Sequence, residues 1–96
     1  MYILITYDVN TFDKEGERRL RKVAKACLNY GHRVQSSVFE CEISESQLCI
    51  LKDILKGIIE STTDSIRIYY LSRSEYRRVD VLGVETGLKF HDAIII

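Results

Sequence analysis

The amino-acid sequence predicts an α+β sandwich, in which two helices cover one face of an antiparallel sheet. Two stretches, 15–30 and 45–59, repeat apolar residues every three or four positions, as amphipathic helices do. Three others, 2–9, 32–43 and 65–71, are rich in β-branched and aromatic residues or alternate apolar with polar ones, as strands do. Their order along the chain predicts the ferredoxin-like βαββαβ arrangement, with an extra strand at the C-terminal end.

Length and composition are those of one small domain. The chain has 96 residues, of which 46% are hydrophobic and 29% charged, and this predicts a single globular domain over 1–96. No apolar run is long enough for a transmembrane helix, and the N-terminal residues lack the pattern of a signal peptide, so we expect a cytoplasmic protein that makes no membrane contact. The three cysteines have neither metal-binding nor redox spacing, and we expect reduced thiols in the core: Cys27, Cys41 and Cys49.

The first predicted strand runs from Tyr2 to Val9 and is followed at once by polar residues. Its apolar side chains fall on both faces, so we expect a central strand that is covered on at least one side. Asp8 lies where this strand leaves the core. A carboxylate at that position either caps the following loop through backbone N–H groups or works at the rim of the sheet, and both alternatives are open.

The first helix is predicted to begin after Asp13, which can cap it, and to end before Gly31, a natural C′ residue. Its apolar stripe is formed by Leu20, Val23, Ala24, Cys27 and Leu28. The opposite side is basic and carries Arg18, Lys22 and Lys25.

The segment 32–43 is either one bent strand or two short strands that meet near Gln35–Ser37. Ser44 and Gln47 form a capping box that predicts the start of the second helix, 45–59. The apolar stripe of that helix comprises Leu48, Leu51, Ile54, Leu55, Ile58 and Ile59.

The C-terminal third is predicted to contain a strand at 65–71, a polar turn at 72–78, a short strand at Val79–Gly83 and a last strand at 88–96. The last of these ends in three isoleucines, and an exposed apolar edge strand invites pairing with another chain. We expect it either to add to its own sheet or to cross to a partner, which would make a homodimer with exchanged edges.

Net charge is zero, because fourteen basic residues balance fourteen acidic ones. This balance argues against a protein that binds nucleic acid with its whole surface. The stretches 14–25 and 67–78 are nevertheless basic. Such stretches either bind phosphates locally or only solvate a helix face.

The sequence contains no nucleophile motif and no glycine-rich phosphate loop. The candidates for chemistry are therefore Asp8, nearby hydroxyls and arginines, and groups that a second protomer supplies. Tyr7 and Ser37 either position phosphate or water, or are ordinary strand residues with satisfied hydroxyls.

Four stretches together carry a resemblance to a known family: the strand end Tyr7-Asp8-Val9, the arginine-rich first helix, the run from Gly31 to Glu40 with its Arg-Val-Gln-Ser-Ser-Val-Phe-Glu, and Asp64–Tyr69 with Val81–Gly83. The chain resembles, over nearly its whole length, the second CRISPR-associated protein, or Cas-Two, family. This resemblance implies a ferredoxin-like homodimer whose C-terminal strand packs on the partner's sheet. It also implies a role in spacer acquisition, in which the dimer bridges two dimers of the Cas-One integrase and supports duplex DNA.

Some members of that family are metal-dependent nucleases on RNA or DNA, so the resemblance also implies a possible Mg²⁺-dependent endonuclease, with Mn²⁺ as the alternative cation. The residues that match the family's metal and catalytic positions are Asp8, Arg33 and Phe39. An early arginine of the first helix matches too, but the motif does not separate Arg18 from Arg19. A single carboxylate per chain is compatible with Mg²⁺ if a two-fold axis brings two copies together.

The basic residues expected to contact nucleic acid, either duplex DNA or single-stranded RNA, are Arg18, Arg19, Lys22, Arg77 and Arg78. The alternative to these functions is a small ferredoxin-like domain that binds a ligand or regulates a partner without catalysis.

Overall fold

The computed structural model describes residues 1–84, which form a four-stranded antiparallel sheet and three helices. The elements are β1 (Tyr2–Asp8), α1 (Lys14–Cys27), β2 (Gly31–Gln35), β3 (Val38–Glu42), α2 (Glu45–Ile58), β4 (Ser65–Leu71) and α3 (Arg73–Arg77). The strand order β2-β3-β1-β4 is that of a ferredoxin-like sheet, so the predicted α+β class is confirmed. The predicted strand at 88–96 lies outside the described residues. Among the described helices, none is long and apolar enough to cross a membrane.

The core lies between the sheet and the pair α1 and α2. Alternation along β1 turns three side chains, Ile3, Ile5 and Tyr7, toward the helices, where they are buried. Phe39 of β3 is the largest side chain that is fully buried beside them. The other face of the sheet, which we call the open face, carries the intervening side chains of each strand.

Helix α1 begins as predicted and ends earlier than predicted. Asp13 caps it, since its Oδ1 accepts a hydrogen bond from the Gly16 N–H at 2.7 Å. The helix ends at Cys27, and Gly31 is the first residue of β2 rather than a helix C′ residue. Glycine is needed there for close strand packing, because a Cβ built on Gly31 would overlap the backbone of Glu40 in β3.

The segment after α1 forms two short strands, which decides the alternative left open by the sequence. β2 and β3 pair as a hairpin with a shift of register between Arg33 and Gln35. The turn between them lies beside the end of β1, where the Tyr7 N–H donates to the Ser37 carbonyl at 2.9 Å.

The predicted capping box of α2 is confirmed by reciprocal bonds between Ser44 and Gln47, at 3.0 and 3.1 Å. The prediction that all three cysteines lie in the core is wrong for Cys49, which is exposed. It follows the buried Leu48 by one position, and one residue turns a helix by about 100° away from the core.

The other two thiols are buried, as predicted. Burial raises the pKa of Cys27 to about 12 and that of Cys41 to about 11, so both stay protonated at neutral pH.

Two predictions for the segment after β4 are wrong. The expected polar turn at 72–78 contains the helix α3, because Ser72 and Glu75 form a capping box that was not recognised. α3 packs on the open face, where the rings of Tyr76 and Tyr2 stack with their centres 4.4 Å apart. The residues 79–83 are not a strand.

The path of the chain explains why residues 79–83 do not form the predicted strand. The segment 79–84 lies over the open face and shares a groove there with Leu4 of β1 and Val38 of β3. The face of a sheet offers side chains and no unpaired backbone groups, so this segment forms no ladder there, and its apolar residues stay exposed.

Candidate metal and nucleic-acid site

Asp8 is the last residue of β1, at the end of the sheet where the β2–β3 turn also lies. Its backbone pairs with Ser65, the first residue of β4. The side chain is exposed, and no donor among the described residues bonds its carboxylate. The loop that follows is capped by Asn10, which accepts from the Phe12 N–H at 2.9 Å, and by Asp13. Within residues 1–84, the capping alternative for Asp8 is therefore wrong, and its carboxylate is available to a ligand.

Arg33 and Phe39 lie opposite each other in the β2–β3 ladder. The guanidinium carbon of Arg33 is 5.6 Å from the centre of the Phe39 ring, and its Nε donates to the Ser36 carbonyl at 2.8 Å. Phe39 is 0% exposed and offers no surface to a substrate. Phe39 can therefore act in a reaction only indirectly, through the residues that pack against it, of which Arg33 is one. The predicted catalytic roles of both residues stay predictions.

Arg19 does not stand free on the surface, because it forms an ion pair with Asp64. Its Nε and Nη2 atoms donate to the two carboxylate oxygens at 2.8 and 3.2 Å. The buried carboxylate of Asp64 also accepts from the Tyr7 hydroxyl at 2.5 Å, the Glu60 N–H at 3.0 Å and the Thr63 hydroxyl at 3.1 Å. We call these residues the Asp64 cluster: Tyr7, Arg19, Glu60, Thr63 and Asp64.

The charges in the Asp64 cluster are set by these contacts. Burial by itself raises the pKa of Asp64, but the hydrogen bonds, led by those from Arg19, outweigh it and hold the pKa at about 2. Burial and the bond to Asp64 raise the pKa of Tyr7 to about 12, and the same carboxylate raises the pKa of Arg19 above its usual range. At neutral pH the cluster thus holds an anion, a cation and a neutral hydroxyl donor.

Two predictions are changed by this cluster. The Tyr7 hydroxyl is turned into the protein and satisfied there, so it does not position phosphate or water. The Arg19 side chain has an internal partner and is only 21% exposed, so its nucleic-acid contact has no support from the geometry and stays a prediction.

The other basic residues predicted to contact nucleic acid are exposed but do not form one patch. Arg18 and Lys22 lie on the outer side of α1, where Arg18 is 3.3 Å from Glu15. Arg77 and Arg78 lie at the end of α3, on the opposite side of the sheet. A single chain therefore presents two separate basic surfaces, one on each side of the sheet.

Helical spacing contains a signal that separates Arg18 from Arg19. Arg19 comes three residues after Gly16 and four before Val23, both buried, so it borders the apolar side of α1. The partner Asp64 had no such signal, because it is 45 residues away in a loop.

Asp8 is the carboxylate that the sequence predicts as a metal ligand, and it lies at this end of the sheet. Within residues 1–84, no three side chains of His, Cys, Asp or Glu are close enough together to hold an ion. Mg²⁺ keeps several waters and is often bound by one or two carboxylates with substrate phosphates, so an exposed Asp8 with no internal partner fits such an ion.

Comparison with known proteins identifies a family. The model of the family described as CRISPR associated protein Cas2, the Cas-Two family, matches residues 1–79. The chain is 48% identical over 94 residues to "CRISPR-associated endoribonuclease Cas2 3" of Rhodospirillum rubrum, covering 98% of this chain and 99% of that relative. It is 47% identical over 95 residues to "CRISPR-associated endonuclease Cas2" of Halalkalibacterium halodurans, covering 99% of each.

A solved structure is similar as well. The crystal structure of Streptococcus pyogenes Cas2 has a TM-score of 0.83 and 51% sequence identity, over 86% of this chain and 100% of that one. The similarity thus extends from the sequence to the arrangement of strands and helices.

Proposed function

This chain belongs to the Cas2 family of CRISPR-associated proteins, and on that basis we propose that it is a metal-dependent nuclease that cleaves phosphodiester bonds of RNA or DNA. The observation that carries the proposal is the carboxylate of Asp8, which is exposed at the end of β1 and has no hydrogen-bond donor among the described residues. The names endoribonuclease and endonuclease of two relatives support the same activity.

Asp8 is the proposed ligand of Mg²⁺, or of Mn²⁺ in its place. A bound cation would activate water and neutralise charge on the scissile phosphate. Because Asp8 is the one carboxylate proposed as a ligand in each chain, we propose that a two-fold axis of a homodimer brings the Asp8 of a second copy to the same ion. Two carboxylates close together repel without a cation, so cleavage should depend on both the dimer and the pH.

Replacement of Asp8 by asparagine is expected to abolish Mg²⁺-dependent cleavage and to leave the fold intact. Asparagine keeps the shape of the side chain but lacks the negative charge that holds the cation. Cleavage of labelled RNA and DNA, with and without Mg²⁺, measures the activity, and Mn²⁺ binding followed by electron paramagnetic resonance measures the site directly.

The matched control is Asp53→Asn, which makes the same change of charge at an exposed position of α2. This control should keep wild-type cleavage and Mn²⁺ binding. Full cleavage by a rigorously purified Asp8→Asn protein would place the nuclease site elsewhere or identify the activity as a contaminant.

We further propose that the homodimer bridges two dimers of the Cas-One integrase and supports duplex DNA during spacer acquisition. The observation that favours this role is the pair of exposed basic surfaces, Arg18 with Lys22 and Arg77 with Arg78, on opposite sides of each sheet. A dimer would present both surfaces twice, and basic surfaces bind duplex phosphates without regard to base sequence. Single-stranded RNA is the alternative ligand of the same surfaces.

Neutralising Arg18 and Lys22 together, by Arg18→Gln and Lys22→Gln, is expected to weaken duplex binding. Each lost phosphate contact lowers the salt slope of binding by about one, so the double variant should lose about two. Fluorescence anisotropy at several salt concentrations measures the slope.

The control for that experiment is Lys52→Gln with Lys56→Gln, which removes two charges from α2 and should leave the slope unchanged. Unchanged duplex affinity in the α1 variant would show that Arg18 and Lys22 only solvate their helix. Co-purification with the Cas-One integrase tests the bridging role separately, and we expect Asp8→Asn to co-purify as wild type does.

A further inference from the structure

Two members of the Asp64 cluster are neighbours in sequence of the pair formed by Asp8 and Ser65. Tyr7 precedes Asp8 in β1, Asp64 precedes Ser65 at the start of β4, and Asp8 and Ser65 are partners in the ladder. Because the strands are antiparallel, Tyr7 and Asp64 lie on opposite sides of the Asp8–Ser65 pair, and the hydrogen bond between them crosses that pair diagonally.

Tyr7 and Asp8 are adjacent in β1, so a contact of the Tyr7 side chain can reach Asp8 only through the backbone. Successive side chains of a strand point to opposite faces, so Tyr7 points into the helix layer while Asp8 points toward the open face. No member of the cluster bonds the Asp8 carboxylate, but Tyr7, the residue before Asp8, is anchored twice, by its hydroxyl to Asp64 and by its backbone N–H to the Ser37 carbonyl.

Helix α1 restrains the chain on the other side of Asp8 as well. Arg19 of α1 joins the cluster through Asp64. One turn earlier, Gly16 packs so closely against the loop after β1 that a Cβ on it would overlap the carbonyl oxygen of Asn10. Helix α1 thus contacts the chain on both sides of Asp8: Arg19 through the cluster that includes Tyr7, and Gly16 through the loop that follows.

We infer that Asp64 is a positioning residue for Asp8: through Tyr7 it fixes the backbone at the end of β1, so that the Asp8 carboxylate points where a divalent cation and a phosphate bind. This inference rests on the proposed nuclease function. Pre-set geometry of this kind is costly to lose, since a displacement of about 1 Å can lower a rate by about a hundredfold.

Two matched variants test the inference, because two hydroxyls donate to the same carboxylate and only one of them belongs to β1. Tyr7→Phe removes the donor that reaches Asp64 from β1 and keeps the ring in the core. Thr63→Val removes the donor that lies beside Asp64 in the loop. Both variants are studied at a temperature at which circular dichroism shows them fully folded.

In Tyr7→Phe we expect amide hydrogens of residues 7–9 to exchange about tenfold faster, and kcat of Mg²⁺-dependent cleavage to fall about tenfold or more, with KM changed less than about twofold. KM should hold because the exposed basic residues proposed to bind nucleic acid are unchanged. In Thr63→Val, the amide hydrogen exchange rates of residues 7–9, kcat and KM should all stay within about twofold of wild type.

Unchanged exchange in Tyr7→Phe, or an equal loss of kcat in the two variants, would overturn the inference, since the effect would then be absent or would follow general stability. If wild-type protein shows no Mg²⁺-dependent cleavage, the proposed nuclease function fails. Exchange that is faster in Tyr7→Phe alone would still support the backbone restraint on Asp8 in that case.

Discussion

Replacement of Asp64 by alanine is expected to lower the free energy of unfolding by about 3 kcal/mol. The substitution removes the acceptor of five hydrogen bonds and leaves the Arg19 guanidinium, the buried Tyr7 hydroxyl and the Glu60 N–H without their partner. Urea denaturation followed by circular dichroism measures the loss. The control is Asp80→Ala, an exposed aspartate with no described ion pair, which should change stability by no more than about 0.5 kcal/mol.

Acid should diminish the difference in free energy of unfolding between wild type and Asp64→Ala in a defined pH range. The pKa of Asp64 in the folded protein is about 2, below its ordinary value of 3.8, so the unfolded chain takes up its proton first as pH falls. The contribution of the Asp64 charge is complete above about pH 4 and is lost progressively as pH falls toward 2. The stability gap between wild type and Asp64→Ala should therefore narrow over that range. A gap below about 1 kcal/mol at pH 7, or one that does not narrow in acid, would contradict this account of the cluster.

Gly16→Ala is expected to destabilise the protein by about 2 kcal/mol or more, although alanine favours helices. The added Cβ would overlap the Asn10 carbonyl oxygen, and that contact is backbone, which cannot turn aside as a flexible side chain does. The loop after Asp8 must then move away from α1, so cleavage and Mn²⁺ binding should fall together with stability. Thermal denaturation and Mn²⁺ binding measure the two effects.

Gly57→Ala is the matched control for that substitution. Gly57 lies in the last turn of α2, and a Cβ there would meet nothing within 4 Å. Helix propensity then acts alone and should stabilise the protein by about 0.5 kcal/mol. If both alanine variants changed stability in the same direction, the close contact between Gly16 and Asn10 would not explain the stability of Gly16→Ala.

Local sequence patterns were sufficient for the fold class and for the N-terminal ends of α1 and α2. The apolar spacing of α1 and α2, the Asp13 cap and the Ser44–Gln47 capping box all depend on residues three or four positions apart, and all are confirmed. The position of Asp8 at the end of β1 was evident for the same reason, because a run of strand-forming residues ends there.

Where the sequence pattern allowed two structures for a segment, the segments that it contacts in the fold decided between them. The single or double strand at 32–43 was decided by the pairing of β2 with β3, and the failure of 79–83 to form a strand was decided by its position over the open face. Hydrophobic alternation records that a segment has one apolar side. It does not record whether that side meets a sheet edge, where the backbone can pair, or a sheet face, where it cannot.

The sequence by itself determined the α+β class, the N-terminal caps of α1 and α2 and the position of Asp8 at the end of β1, because these depend on neighbours along the chain. Only the tertiary structure decided that Arg19 is held by Asp64, that Phe39 has no surface for a substrate and that the basic residues fall on two sides of the sheet. Each of these depends on which distant segments meet, and a contact across 45 residues leaves no periodic trace in either segment. The same reason explains why the sequence pattern does not show Asp64 as the buried centre of the cluster that includes Tyr7, the residue before Asp8.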